Sequence, residues 1–169
     1  MQTNHPGFKK YINVFLGLGS NQGDRNANLE TAQRLIGQKI GKAARSSSLY
    51  ETQPWGIAEQ EPFYNKVIMI NTTMDPRDIL QAITEIERAM GRVKTEKWGP
   101  RIIDIDILFY GRRVIRDKGL EVPHPELHQR MFVLVPMMEI AGEMEHPVFK
   151  QTIESLYAEC KDASEVVML

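Results

Sequence analysis

The feature that most restricts the fold is a pair of β-branched runs separated by one amphipathic helix. Asn65 to Met74 (NKVIMINTTM) and Ile102 to Tyr110 (IIDIDILFY) are the two strongest strand candidates in the chain. Between them Pro76 stands at a helix start, where its missing N–H costs nothing. Ile79, Leu80, Ile83, Ile86 and Met90 then recur on one helical face up to Gly91. Upstream, Ile12 to Leu18 reads as a buried strand ending in a GLGSNQG turn. The next helix, Asp24 to Ile40, carries Leu29, Ala32, Leu35, Ile36 and Ile40 at helical spacing. Lys42 to Glu51 is a weaker strand, and Thr52 to Pro62 (TQPWGIAEQEP) a loop long enough to be functional. After Tyr110 come a hairpin turn at Gly111, a proline-broken VPHPEL segment, a helix from Met131 to Ala141 and an amphipathic tail. The order strand, helix, strand, strand, helix, strand predicts an α+β fold: a ferredoxin-like two-layer sandwich, a mainly antiparallel sheet with helices packed on it. A doubly wound sheet would need more strand–helix alternation.

A length of 169 residues suits one domain over 1–169, with flexible ends at 1–11 and 160–169. Lys and Arg number 21 against 22 Asp and Glu, a net charge of -1, which excludes a generic polyanion binder. The single Cys160 cannot form an internal disulfide and points to a reducing compartment. No apolar run reaches the ~20 residues that span a bilayer. The expectation is a cytoplasmic monomer that binds neither membrane nor nucleic acid.

The run Ile102 to Tyr110 also carries the strongest chemical signal. Strict alternation puts Ile103, Ile105, Ile107 and Phe109 on one face and Ile102, Asp104, Asp106, Leu108 and Tyr110 on the other. The two carboxylates then project together, with Cα atoms about 6.5–7 Å apart. Adjacent anions in an apolar strand repel each other and resist desolvation, so something cationic must compensate. A divalent, oxygen-loving ion such as Mg²⁺ answers that need; so do arginines beside a solvated edge strand. Removing either acid should relieve the repulsion.

Upstream, GRVKTEKWGPR (Gly91 to Arg101) sets Arg92, Lys94, Lys97 and Arg101 against one acid, Glu96. Such cations suit phosphate oxygens, or simply a solvated loop. Their mutual repulsion predicts a loop that closes when phosphates arrive, with Trp98 as its reporter. Glu87 falls on the apolar face of its helix, where a carboxylate needs a partner or a job. Trp55, Phe63 and Asn65 flank the long loop and offer stacking surfaces and an amide to a flat heteroaromatic ring, or ordinary core packing. The GLGSNQG turn matches neither the dinucleotide fingerprint nor the phosphate loop and reads as a strand-to-helix turn with a polar cap. His124 is a lone histidine, no serine or cysteine has a recognisable base, and zinc spacing is absent.

KWGPRIIDIDIL resembles the signature of the 6-hydroxymethyl-7,8-dihydropterin pyrophosphokinase family of folate biosynthesis. The GLGSN turn, the YETQPWG loop, FYN, the Ile-Glu pair before Gly-Arg, and VPHPELHQRMF look like family landmarks in family order, from Val14 to about Gly142. The resemblance implies transfer of the β,γ-diphosphate of ATP to the pterin hydroxymethyl group, releasing AMP, with two Mg²⁺ ions held by Asp104 and Asp106. It implies charge stabilisation by Arg92 and Arg101 in catalysis. It also implies ATP contacts from Glu87, Lys94, Trp98, Arg101, Ile107, His124 and Arg130. Thr52, Gln53, Trp55, Phe63, Asn65 and Phe132 match the pterin pocket, with Phe63 and Phe132 sandwiching the ring. Gly119 stands where an ATP-contacting arginine would be, with Arg116 and Lys118 as neighbours. Rival readings on the same topology are a nucleotide-binding regulatory module and an RNA-recognition domain. The latter lacks its basic-Gly-aromatic strand motif.

Overall fold

The computed structural model describes residues 9–54, 59–93 and 99–169. β1 (Ile12–Ser20) leads into α1 (Arg25–Lys39), whose first turn is capped by Asp24 accepting the Ala27 N–H at 3.0 Å. Two short strands follow, β2 (Ala43–Ser46) and β3 (Tyr50–Thr52), then the long β4 (Phe63–Thr72). α2 (Pro76–Ala89) starts on its proline and buries Ile79, Ile83 and Ile86. β5 (Asp104–Tyr110), the hairpin β6 (Ile115–Asp117) and β7 (Leu120–Val122), α3 (Met131–Ala141), α4 (Ile153–Glu159) and β8 (Val166–Met168) complete the chain.

The main sheet runs β5-β1-β4-β3-β8, all antiparallel, with β2 also paired to β4. β1, α1, the successive short strands β2 and β3, β4, α2 and β5 therefore form the ferredoxin-like α+β unit, with α1 and α2 on one face. That face and its helices share one core, including Leu16, Ile36, Ile68, Ile83 and Ile105. The C-terminal part of the chain adds a second cluster on the opposite face, where Leu127, Leu134 and Met137 pack on Phe15, Val67 and Phe109. Among the described residues no helix is long and apolar enough to cross a membrane.

Four local expectations change. β1 extends through Ser20, so Gly17 and Gly19 are strand residues and the turn begins only at Asn21. The alternation along β5 breaks at Leu108: Phe15 pairs with Phe109 but Leu16 with Ile107. That bulge leaves Leu108 and Phe109 both in the second cluster and returns Tyr110 to the first. Gly111 makes a turn without a hairpin, its N–H donating to Asn13 O at 2.8 Å. The hairpin is β6–β7, and Gly119 sits there at φ +76, a conformation unfavourable for an arginine. Finally, the C-terminal end expected to be flexible instead supplies β8, paired with β3. The other expected flexible end is largely residues 1–8, outside the described residues.

Candidate active site

Antiparallel register brings the critical side chains into rows. Gly19 pairs with Asn65 on one side and Asp104 on the other; Gly17 pairs with Val67 and Asp106. Cross-strand partners share a face, so both acids and Asn65 stand around a strip of β1 that has no side chains. This strip lies on the face opposite α1 and α2, at the end where α3 begins. The space it leaves is a concave cleft that opens to solvent. Thr52, Gln53, Phe63, Asn65, Arg101, Asp104, Asp106, Arg130 and Phe132 all line it. Residues far apart in sequence, expected to hold a flat ring and a charged group, therefore meet in one cavity.

At the ring end, Asn65 Nδ2 donates to Thr52 Oγ1 at 2.7 Å, and both residues are buried. Gly19 is required by this arrangement, because a Cβ there would come within 2.9 Å of Asn65 Oδ1. Phe63 opens β4, and Phe132 belongs to the first turn of α3.

At the charged end, Asp104 receives two arginines. Arg101 Nη1 reaches its Oδ2 at 2.7 Å, and Arg92 Nη1 its Oδ1 at 2.9 Å while also pairing with Glu87. Glu87 accepts the Ile105 N–H at 2.9 Å, on the outer edge of β5. Burial raises the Glu87 pKa despite these partners. Asp106 has the harder environment. Burial first and the Asp104 charge second push its carboxyl up to about 7, while Arg130 pulls the other way. Arg130 pairs with Glu126 and lies over the Phe132 ring at 5.6 Å. The backbone N–H of His124 donates to Leu108 O at 2.9 Å, and burial together with Arg130 lowers the pKa of its imidazole. Ile107 differs from the rest: its side chain lies in the core shared with α1 and α2. Trp55, Lys94, Lys97 and Trp98 lie outside the described residues, and with them most of the loop expected to close.

Among the described residues no three His, Cys, Asp or Glu side chains are grouped closely enough to hold a metal. Two carboxylates on one face nevertheless fit a hard cation that takes its remaining ligands from phosphate and water, as Mg²⁺ commonly does. Sequence reasoning missed several lining or supporting groups. Gly17 and Gly19 looked like turn residues because their neighbours across the sheet were unknown. Lys66, between Asn65 and Val67, borders the cleft only through its main chain, because its Nζ turns to the α1 face and donates to Gln33 Oε1 at 3.0 Å. Asn21 could have been singled out from GLGSN, but only as a cap.

A ferredoxin-like sheet whose open end sets an acid pair and arginines against an aromatic and amide slot has the make-up of an enzyme suited to phosphate chemistry on a flat ring. Comparison with known proteins gives this class a family. Residues 15–142 match the family model described as 7,8-dihydro-6-hydroxymethylpterin-pyrophosphokinase (HPPK), and the chain belongs to that family. It is 39% identical over 146 residues to the 2-amino-4-hydroxy-6-hydroxymethyldihydropteridine pyrophosphokinase of Aquifex aeolicus, covering 86% of this chain and 91% of the relative. The Bacillus subtilis enzyme of the same name is 39% identical over 133 residues, covering 78% and 80%. Folic acid synthesis protein fol1 of Pneumocystis carinii is also 39% identical, over 88% of this chain, but the chain spans only 20% of that longer protein. Among solved structures, Plasmodium falciparum HPPK-DHPS with pterin and p-hydroxybenzoate superposes with a TM-score of 0.71 at 22% identity. That match covers 88% of this chain and 42% of the other, and it supports the fold alone.

Proposed function

We propose that this chain transfers the β,γ-diphosphate of ATP to the hydroxymethyl group of 6-hydroxymethyl-7,8-dihydropterin, releasing AMP, as a step of folate biosynthesis. The observation that carries the reading is the single cleft in which the acid pair and the ring slot share one floor, in a chain of the pyrophosphokinase family. Thr52, Gln53, Phe63, Asn65 and Phe132, with Trp55, hold the pterin. Phe63 and Phe132 supply stacking faces, and Asn65, fixed by Thr52, reads the polar edge of the ring. Glu87, Lys94, Trp98, Arg101, Ile107, His124 and Arg130 serve ATP, with Ile107 contributing main chain because its side chain is in the core.

Asp104 and Asp106 would hold two Mg²⁺ ions, a group that would supply neutralisation of the triphosphate charge. To hold an ion, Asp104 would give up its contacts with Arg92 and Arg101. Arg92 and Arg101 then turn their forks to the transferring phosphates, where charge builds as the bond to the α-phosphate breaks. Proximity and charge stabilisation do most of the work, since no residue forms a covalent bond to the phosphoryl group. The protein acts as a cytoplasmic monomer on small molecules, and its net charge of -1 favours neither nucleic acid nor an anionic membrane. Product analysis tests the reaction: AMP should accumulate from Mg-ATP only when the pterin is present. Binding of both without AMP would leave a regulatory module in its place.

A further inference from the structure

Asn21 is a polar residue only 2% exposed, and its hydrogen bonds leave the turn that bears it. Its backbone N–H donates to Arg101 O at 3.0 Å, and its Oδ1 accepts the Arg101 N–H at 2.7 Å. The two bonds grip the main chain of Arg101 as a strand neighbour would. Its Nδ2 meanwhile donates to Gln60 Oε1 at 3.0 Å and Glu61 O at 3.3 Å. Gln60 and Glu61 end the loop that separates Gln53 from Phe63, so they set the approach to the ring slot. Arg25 steadies the next step of that loop: it donates to Pro62 O at 2.7 Å and lies 3.7 Å above the Tyr64 ring. One carboxamide therefore joins the segment bearing the arginine of the charged end to the segment entering the ring end.

We propose that Asn21 is a positioning residue that holds the Arg101 segment and the pterin-side loop in one geometry. The proposal rests on the function above. A carboxamide is uniquely suited to the task, because it accepts on one side and donates twice on the other. Aspartate would keep the bond from Arg101 N–H and lose both donations to the loop; alanine would lose all three. The two halves of the tie can thus be cut separately.

The experiment is a kinetic double-mutant cycle read by AMP formation from Mg-ATP and the pterin. Asn21→Ala should lower kcat on the order of 10²-fold, the scale of a ~1 Å misplacement near the chemistry, with little change in KM for ATP. In an Arg101→Ala background the same substitution should cost less than about threefold, because the group it positions is gone. Asn21→Asp should retain most of kcat and raise KM for the pterin by about tenfold, because both donations to the loop are lost while the bond from the Arg101 N–H remains. Hydrogen exchange over 59–64 and 100–104 reads the tie without catalysis. Alanine should speed both stretches, aspartate the first alone. Equal kcat losses in both Arg101 backgrounds, or unchanged exchange in both stretches, would overturn the positioning role. A wild-type protein that forms no AMP yet shows the expected exchange pattern would remove the proposed reaction and leave the tie standing. If Asn21→Ala does not fold, the KM and kcat split in Asn21→Asp decides the question.

Discussion

Asp104 and Asp106 look equivalent in sequence and are not equivalent in the folded chain. Asp104 is neutralised by Arg92 and Arg101, whereas Asp106 is dehydrated beside another acid. The uniform relief expected from removing either acid is therefore replaced by opposite effects. In metal-free buffer, Asp106→Asn should raise the melting temperature by a few degrees, equivalent to about 1 kcal/mol. Asp104→Asn should lower it by a similar amount, since two half-buried guanidinium groups lose their shared acceptor. Both should abolish AMP formation at saturating Mg²⁺. Calorimetric scans of the pair with EDTA present, followed by activity assays, check all of this. A second residue-scale prediction concerns Gly19→Ala. Its new Cβ displaces Asn65 Oδ1, so KM for the pterin should rise about tenfold while KM for ATP stays near its original value. Steady-state kinetics with each substrate varied in turn measures the split.

At the scale of elements, α3 does two things with one N-terminus: it closes the second core through Val133, Leu134 and Met137 and presents Phe132 to the cleft. Truncating Phe132 to alanine should weaken pterin binding by roughly 1–3 kcal/mol, as at other aromatic platforms, and leave ATP affinity largely intact. Titration calorimetry with each ligand measures this, and equal losses for both would indicate damage to α3 itself. This helix was legible in full, Met131 to Ala141, because Pro136 did not outweigh an almost continuous apolar run. α1 and α2 were legible for their 3.6-residue periodicity and their starts at Asp24 and Pro76. The bulge at Leu108 was not, because it exists only in the pairing of β5 with β1. Neither was the place of Gly17 and Gly19, since a glycine facing a vacant strip and a glycine in a turn read alike in one sequence. The acid pair announced itself through its cost in an apolar strand; Asn21 did not, because its partners are 39 to 80 residues away.

At the scale of the molecule, His146 ties the C-terminal helices to the sheet. Its ring stacks on Phe149 at 4.3 Å and meets Phe109 of β5 edge-on at 5.5 Å. Nδ1 accepts the N–H groups of Val148 and Phe149, both at 3.2 Å, so the imidazole is held neutral. Burial, and then the nearby His128, bring its pKa down to about 4 from the ordinary 6.5. Below pH 6.5 the unfolded chain takes up a proton that the folded chain refuses, so this group's contribution to stability falls as pH drops to about 4 and is flat below it. The loss should reach about 2 kcal/mol after allowing for solvent screening. Denaturant midpoints across that range should show it in the wild type, and the difference from His146→Phe should isolate it.

The vacant strip of β1 has a consequence for any compound made to occupy the cleft. A ligand resting there touches peptide planes of Gly17 and Gly19 rather than side chains, and no point mutation can delete a peptide plane. Escape from such a compound is confined to adding bulk or altering the rim. At Gly19, bulk meets Asn65 before it meets the ligand, so resistance gained there would come bound to a poorer grip on the natural substrate.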